Sequence, residues 1–426
     1  MKLLEKRMII PHAPDRAPIC AFVTYIHAEK PILLRRTGWE VSNDTQDDYT
    51  DVISRDNGRT WGDSRPAPSS IPVEGGFIVH TEHVALYLPD RNLLICWTND
   101  KFEASLTAGY DMDQTARIRI TMGDPDSVYQ GTASAPFISD FGIKQGLYVS
   151  FATAFLDSHG RVLVPVMWQK NACPTPTRPL SNVERLGKRG FATRKDMPDV
   201  FSDVWEVGLL IGEFQRDGPS FAAANYGLAG GKLKWHVSQA VPFDLDQSSR
   251  GMHEGSIAEL PDGRLCMILR GSNEGWPDVP GYKWLSFSQD GGETWSKVVP
   301  LPCDDGSLIE SSCTGSGLFR SIKNGRLYWM GNLCLEGRRP EGNMPRSPLY
   351  IAEIQENPVA IKRKTITVID RAQPGEHPDT QHSNFKFYQD RETGDIVLYF
   401  TRYGERGYEN GRWIEADLYQ YRVSLD

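Results

Sequence analysis

The stretch Ser256-Ile257-Ala258-Glu259-Leu260-Pro261-Asp262-Gly263-Arg264-Leu265-Cys266-Met267-Ile268-Leu269 reads as two short apolar strands joined by a Pro-Asp-Gly turn. Proline presets the first turn dihedral, Asp bonds its own backbone and Gly takes the positive φ, so the segment predicts a hairpin. The same grammar recurs along the chain. Turn centres fall near residues 28, 91, 158, 262, 324 and 392, at intervals of about 63, 67, 104, 62 and 68 residues, a fixed period of the kind that repeat architectures show. Further strand pairs, such as Tyr49 to Ser54 and Trp284 to Ser288, lie between the hairpins, so each unit holds about four strands. Six such units predict an all-β, six-bladed β-propeller of four-stranded antiparallel blades, one domain over residues 1–426. The one long interval carries about forty extra residues around Pro174-Thr175-Pro176-Thr177 and the basic stretch Arg185 to Lys195, read as a surface insertion near 170–200. Leu4 to Ile10 and Leu418 to Leu425 are expected to pair and close the ring.

Composition narrows the partners. Of 426 residues 39% are hydrophobic and 24% charged, and Lys plus Arg number 47 against 55 Asp plus Glu, a net charge of −8. That balance repels a phosphate backbone, so nucleic acid is not an expected partner. No apolar run reaches the ~18 residues that a membrane helix needs. Met1-Lys2-Leu3-Leu4-Glu5-Lys6-Arg7 places charge where a secretory signal is apolar, so the chain as it stands is expected in the cytoplasm. Seven widely spaced cysteines without a CxxC pair read as buried reduced thiols. No motif calls for a cofactor, and none is expected.

Two outer turns share one pattern, Ser54-Arg55-Asp56-Asn57-Gly58-Arg59-Thr60-Trp61 and Ser288-Gln289-Asp290-Gly291-Gly292-Glu293-Thr294-Trp295. The pattern S-x-D-x-G-x-T-W resembles the Asp box of the sialidase (neuraminidase) superfamily, a structural turn in which Asp caps backbone donors and Trp packs between sheets. The likeness extends inward. Arg16-Ala17-Pro18 stands where the superfamily has Arg-Ile-Pro. Glu254 to Arg270 resembles its fourth-blade segment E-x-x-V-E-L-x-D-G-x-L-L-x-x-x-R, and Arg346 precedes a fifth-blade strand, Arg346-Ser347-Pro348-Leu349-Tyr350-Ile351. The resemblance implies that Arg16, Arg270 and Arg346 grip a substrate carboxylate, a task suited to planar, permanently charged forks.

The chain departs from the family at the nucleophile. Where a retaining sialidase has a tyrosine, in a segment like Tyr-Ser-Ser-Leu, this chain reads His382-Ser383-Asn384-Phe385, while the assisting glutamate is kept as Glu254. Asp44, Asp47 and Asp48 are candidates for the acid, with Asp48 preferred. Imidazole suits general acid/base work, so inversion through an activated water, or β-elimination, joins covalent catalysis as a route. His80-Thr81-Glu82-His83 leads into the second hairpin as Glu254 does into the fourth. On a strand His80 and Glu82 share a face, a proton-transfer or metal-ligand pair, with His83 as a candidate catalytic pocket residue. Tyr282, with His253 and Trp284, is a candidate aromatic wall for a sugar ring; His377 and Asp379 precede His382.

The expected function is exo-cleavage of an anionic, carboxylate-bearing sugar from an acidic oligosaccharide or glycan, with Glu254, His382 and Asp48 handling protons. The alternatives are a polysaccharide lyase acting on a uronate and a non-catalytic carbohydrate-binding propeller.

Overall fold

A computed structural model describes all residues except 43–44, 68, 107–115, 134, 150–152, 171–203, 216–231, 245, 275–278 and 336. Six antiparallel sheets of four or five strands form a six-bladed β-propeller. Numbered in chain order, blades 1 to 6 have the inner strands Phe22–Tyr25, Gly76–Leu88, Leu147–Val149, His253–Glu259, Gly317–Arg320 and Lys386–Gln389; those of blades 6 and 1, 1 and 2, and 4 and 5 touch one another, which puts these strands innermost, around the axis. The predicted insertion and Cys173 lie outside the described residues; the other six cysteines are free thiols.

Blade 4 is the simplest: His253–Glu259, Leu265–Arg270, Lys283–Ser288 and Val299–Pro300 pair in chain order. Every residue of Leu265–Arg270 is buried, because each blade is covered by a neighbour on both faces and its central strand therefore reads as continuous apolar sequence. Apolar cores fill the spaces between blades. Trp329 and Ile268 belong to the one between blades 4 and 5, and Trp97 and Val164 to the one between blades 2 and 3. The space between blades 1 and 2 is different. Among the described residues its apolar core has four buried members, Ile26, Leu34, Tyr87 and Leu94.

Both Asp boxes fold alike. The Asp56 carboxylate accepts from Thr60 N at 2.8 Å and Thr60 Oγ1 at 2.5 Å, and Ser54 Oγ accepts from Gly58 N at 2.8 Å. Asp290 repeats this with Thr294, and Ser288 with Gly292. Gly58 and Gly292 hold φ of 79° and 96°, where a Cβ would be strained. These turns join third to fourth strands, on the same end of the ring as the six hairpin turns and opposite the starts of the inner strands.

The ring closes through its termini. Lys2–Ile10 pairs antiparallel with Leu418–Ser424, from Lys2 opposite Ser424 to Ile10 opposite Leu418, so the first residues supply the outer strand of the last blade. Lys6 extends from that strand to Asp370 of blade 5 at 2.9 Å.

Candidate functional site

At the start of the inner strands, the same backbone device appears in blades 4 and 2, and blade 6 shares its left-handed residue. In blade 4 the pairing shifts between His253, opposite Arg270, and Ser256, opposite Ile268. In blade 2 it shifts between Thr81, opposite Asn99, and Val84, opposite Trp97. Each bulge sets three steps of one strand against two of the next, and each places a glutamate in the left-handed region, Glu254 at φ 41° and Glu82 at φ 51°. Blade 6 has Asn384 at φ 54° two residues before its matching strand position. A non-glycine residue held there costs on the order of 1 kcal/mol, and such outliers gather at functional sites.

The bulge in blade 4 delivers Glu254 to the end of the neighbouring strand. Arg270, 9% exposed, donates from NH1 to Glu254 Oε1 at 2.7 Å, from NH2 to Asn343 Oδ1 at 3.0 Å, and from Nε to Cys313 Sγ at 2.9 Å. Arg346 donates from Nε to the Asn343 carbonyl at 3.2 Å and from NH1 to Gln381 Oε1 at 2.8 Å. Asn343 thus couples the two guanidinium groups. Gln381 donates to the Tyr408 hydroxyl at 3.2 Å, and Tyr408 donates in turn to the Asp379 carbonyl at 2.8 Å; apart from this chain, the Tyr403 hydroxyl donates to Glu40 at 3.4 Å. A polar network therefore runs from Arg270 of blade 4 through Asn343 and Arg346 to Gln381 and Tyr408.

Its electrostatics favour an anion. Burial pushes the Glu254 carboxyl up, yet the charge and hydrogen bond of Arg270, then Arg346 and Lys283, outweigh it and hold the group below the usual range. Glu254 Oε2 is buried without a partner. Lys283, buried against Thr314 Oγ1 at 2.9 Å and the Ser312 carbonyl at 3.3 Å, is pushed down to about 7, chiefly by burial. Two permanent cations and a lysine surround one carboxylate.

The other sequence candidates are placed as follows. Arg16 sits on blade 1, bonded from NH1 to Asp48 Oδ2 at 2.5 Å and stacked 5.0 Å from the Trp39 ring; the Arg16 and Asp48 side chains are 32% and 60% exposed. Asp47 is taken up by Ser70 at 2.9 and 2.8 Å, and Asp44 lies outside the described residues. His382 is not presented at the site, contrary to the expectation from its sequence position. Its side chain has no exposed surface, its ring lies 3.2 Å from Arg402 NH2 and 3.5 Å from Asp370 Oδ2, and burial pushes its pKa down to about 4, so the imidazole is neutral. Tyr282 is not a free aromatic wall: it packs edge-on to Trp284 at 6.0 Å, against the core between blades 3 and 4. His253 is a buried core histidine, its Nε2 2.9 Å from the Arg250 carbonyl. Asp379 pairs with Arg338 at 2.5 Å, and His377 packs on Tyr408.

His80 and His83 lie away from Glu254, in a cavity between blades 1 and 2. His80 Nδ1 bonds Asp100 at 2.8 Å, and among the described residues no three His, Cys, Asp or Glu side chains come together to hold a metal. The sequence reading missed Lys283, Cys313, Asn343, Gln381 and Tyr408. The Gly342-Asn343-Met344-Pro345 turn before Arg346 was the one signal that a shaped loop carries this arginine.

No family model and no curated protein matches the sequence. Solved structures match the fold over its length. A protein of unknown function from Dyadobacter fermentans is 13% identical, with 100% of this chain and 99% of that chain covered and a TM-score of 0.58. The intramolecular trans-sialidase from Ruminococcus gnavus, in complex with oseltamivir carboxylate, is 14% identical over 98% and 97% of the two chains, TM-score 0.55. The GH93 α-L-arabinofuranosidase of Fusarium graminearum, with arabinobiose, is 11% identical over 99% and 98%, TM-score 0.52. The fold is the six-bladed propeller seen in these glycosidases. Among the described residues no helix is long and apolar enough to cross a membrane.

Proposed function

We propose that this chain, a six-bladed propeller of the shape that sialidases and GH93 arabinofuranosidase share, is a glycoside hydrolase that releases a carboxylate-bearing sugar. The observation that carries the reading is the pairing of Arg270 and Arg346 through Asn343 beside Glu254, whose second oxygen is buried and unpartnered. Neighbours of this shape are seen with a carboxylate-bearing ligand, oseltamivir carboxylate, or with a sugar that has no carboxylate, arabinobiose; the excess of cations around Glu254 favours the carboxylate-bearing class. A planar carboxylate accepts two parallel bonds from a guanidinium fork, which fixes the sugar as well as holding it.

With the imidazole of His382 enclosed, the proton work falls to carboxylates. Glu254, ionised at neutral pH, takes a proton from a water that attacks the anomeric carbon as the glycosidic C–O bond breaks, and Asp48 supplies the proton to the leaving oxygen. Arg16 is the third arginine of the clamp. In the free protein it is held by the Asp48 carboxylate, and transfer of Arg16 to the substrate carboxylate frees Asp48 to take up a proton from solvent, which it then donates to the leaving oxygen.

The test is turnover of sialosides and uronate-containing oligosaccharides, reading both released sugar and ultraviolet absorbance. Release of a saturated acidic sugar that falls at least about 100-fold in Glu254→Gln is expected. Absorbance of an unsaturated product would move the assignment to a lyase, and binding without turnover to a sugar-binding propeller.

A further inference from the structure

Blades 1 and 2 are separated by a cavity of about 360 Å³, a volume in the range of small-molecule sites. It runs from the rim of the ring, where the lining residues Pro66, Gln130 and Gly131 are exposed, inward to Ser316 and Phe385 beside the inner strands. The small apolar core of this interface opens onto it. Leu34 and the half-buried Ala85, Cys96, Val128 and Tyr129 belong to that core and also line the cavity, so apolar surface is presented to whatever enters.

The charge of the cavity is one-sided. Arg36, Arg65, Arg119 and Lys386 line it, and among the described lining residues Asp51 is the single carboxylate. Asp51 accepts from Arg36 Nε and NH2, both at 2.8 Å. Arg119 bonds Asp100 at 2.8 and 2.7 Å, and Lys386 bonds Glu82 at 3.1 Å. Three of the four cations are therefore neutralised within the protein.

Arg65 is the fourth. The strand register sets it directly opposite Asp51, but both oxygens of that carboxylate are committed to Arg36. The Arg65 guanidinium lies instead over the Tyr129 ring, 4.3 Å from its centre, and among the described residues it has neither an ion pair nor a hydrogen bond. Arg65 and Tyr129 each adjoin an exposed residue of the rim, Pro66 and Gln130, so the uncompensated charge stands at the mouth, with apolar walls behind it.

We propose that the cavity between blades 1 and 2 is a second binding site, separate from Glu254, for an organic monocarboxylate with an aromatic or alkyl body. The carboxylate meets Arg65 at the mouth, and the body lies inward on Leu34, Ala85 and Val128. One unpaired guanidinium calls for one negative charge, and its planar fork gives a carboxylate two parallel bonds. The apolar walls favour a body that a bare ion lacks. A neutral molecule would leave Arg65 without a counter-charge, and a cation would be repelled by it. The site does not depend on the hydrolase reading.

The test is calorimetric titration of the full chain with benzoate, phenylacetate, hexanoate and octanoate, and with benzamide, hexanamide and acetate as references. At least one of the four acids is expected to bind saturably with a Kd of about 1 mM or tighter. The amides, which lack the charge, and acetate, which lacks the body, bind at least about tenfold more weakly. Arg65→Gln weakens the acid by about tenfold, and Arg65→Lys, which keeps the charge and loses the fork, by less. Arg346→Gln, which removes an arginine of the axial clamp, leaves this binding in place. The proposal is overturned if no acid binds saturably, if the amides or acetate bind as tightly as the acids, or if Arg65→Gln binds as tightly as the parent. It is overturned equally if binding is lost in Arg346→Gln and kept in Arg65→Gln, which would assign it to the axial site.

Discussion

Glu254 shows how a single residue is made to serve the site against local preference. Its backbone φ of 41° is one that glycine adopts freely and that other L-residues resist, so the strand gives up stability to aim a carboxylate at Arg270. In an ordinary strand glycine is the weaker choice by about 0.5–1 kcal/mol relative to alanine. At position 254 the order is expected to reverse: Glu254→Gly should have a higher thermal midpoint than Glu254→Ala, since both lose the carboxylate and differ only in the strain. A lower midpoint for the glycine variant would contradict the strained assignment. The sequence made Glu254 and Arg270 legible because one short hairpin fixes them on adjacent strands, opposite ends of a known turn. It could not make the enclosure of His382 legible. That depends on Arg402 from the next strand and Asp370 from another blade packing onto the ring, and neither contact leaves a mark near residue 382. Lys283 and Asn343 were hidden for the same reason, being ordinary strand and loop residues whose partners Thr314 and Arg270 lie 31 and 73 positions away in sequence.

At the scale of elements, turns were read more reliably than site residues. Pro-Asp-Gly and S-x-D-x-G-x-T-W act through bonds within a few residues, so their geometry is written locally, and both Asp boxes fold with the same set of bonds. The Asp290 carboxylate receives Thr294 N at 2.9 Å and Thr294 Oγ1 at 2.5 Å, and the turn leads into Trp295, which is buried between blades 3 and 4. Asp290→Ala is expected to lower the thermal midpoint more than Asp290→Asn, whose amide oxygen still accepts from the backbone; equal midpoints would show that the carboxylate does not organise the turn. The bulges of blades 2 and 4 were only half visible. The sequence placed Glu82 and Glu254 at the start of their hairpins, but a shift in register is a property of two strands together and appears only in their pairing.

The whole molecule carries a pH signature. His83, His253 and His382 are all buried and neutral, their pKa values lowered chiefly by burial. The unfolded chain protonates such groups near pH ~6.5, while the folded chain does so lower, near 4 for His382. Between those values the unfolded state binds more protons, so stability is full above the unfolded pKa and is lost as pH falls, by up to about 1.4 kcal/mol per pH unit for each histidine. Urea midpoints should therefore fall on acidification from neutrality, and His382→Gln should flatten that slope. A slope unchanged in the variant would mean that His382 is charged in the folded state. The ring of blades was legible from its period alone, because six like units imply closure whatever their contents, and the pairing of the first strand with the last completes it. What a propeller binds is decided by the few side chains at its axis, and there the claim rests on Arg270 and Arg346 meeting a carboxylate. The most direct test compares turnover of one carboxylate-bearing glycoside with turnover of its methyl ester. Loss of at least about tenfold on esterification is predicted, from the charge-assisted bonds removed; equal rates would contradict the account.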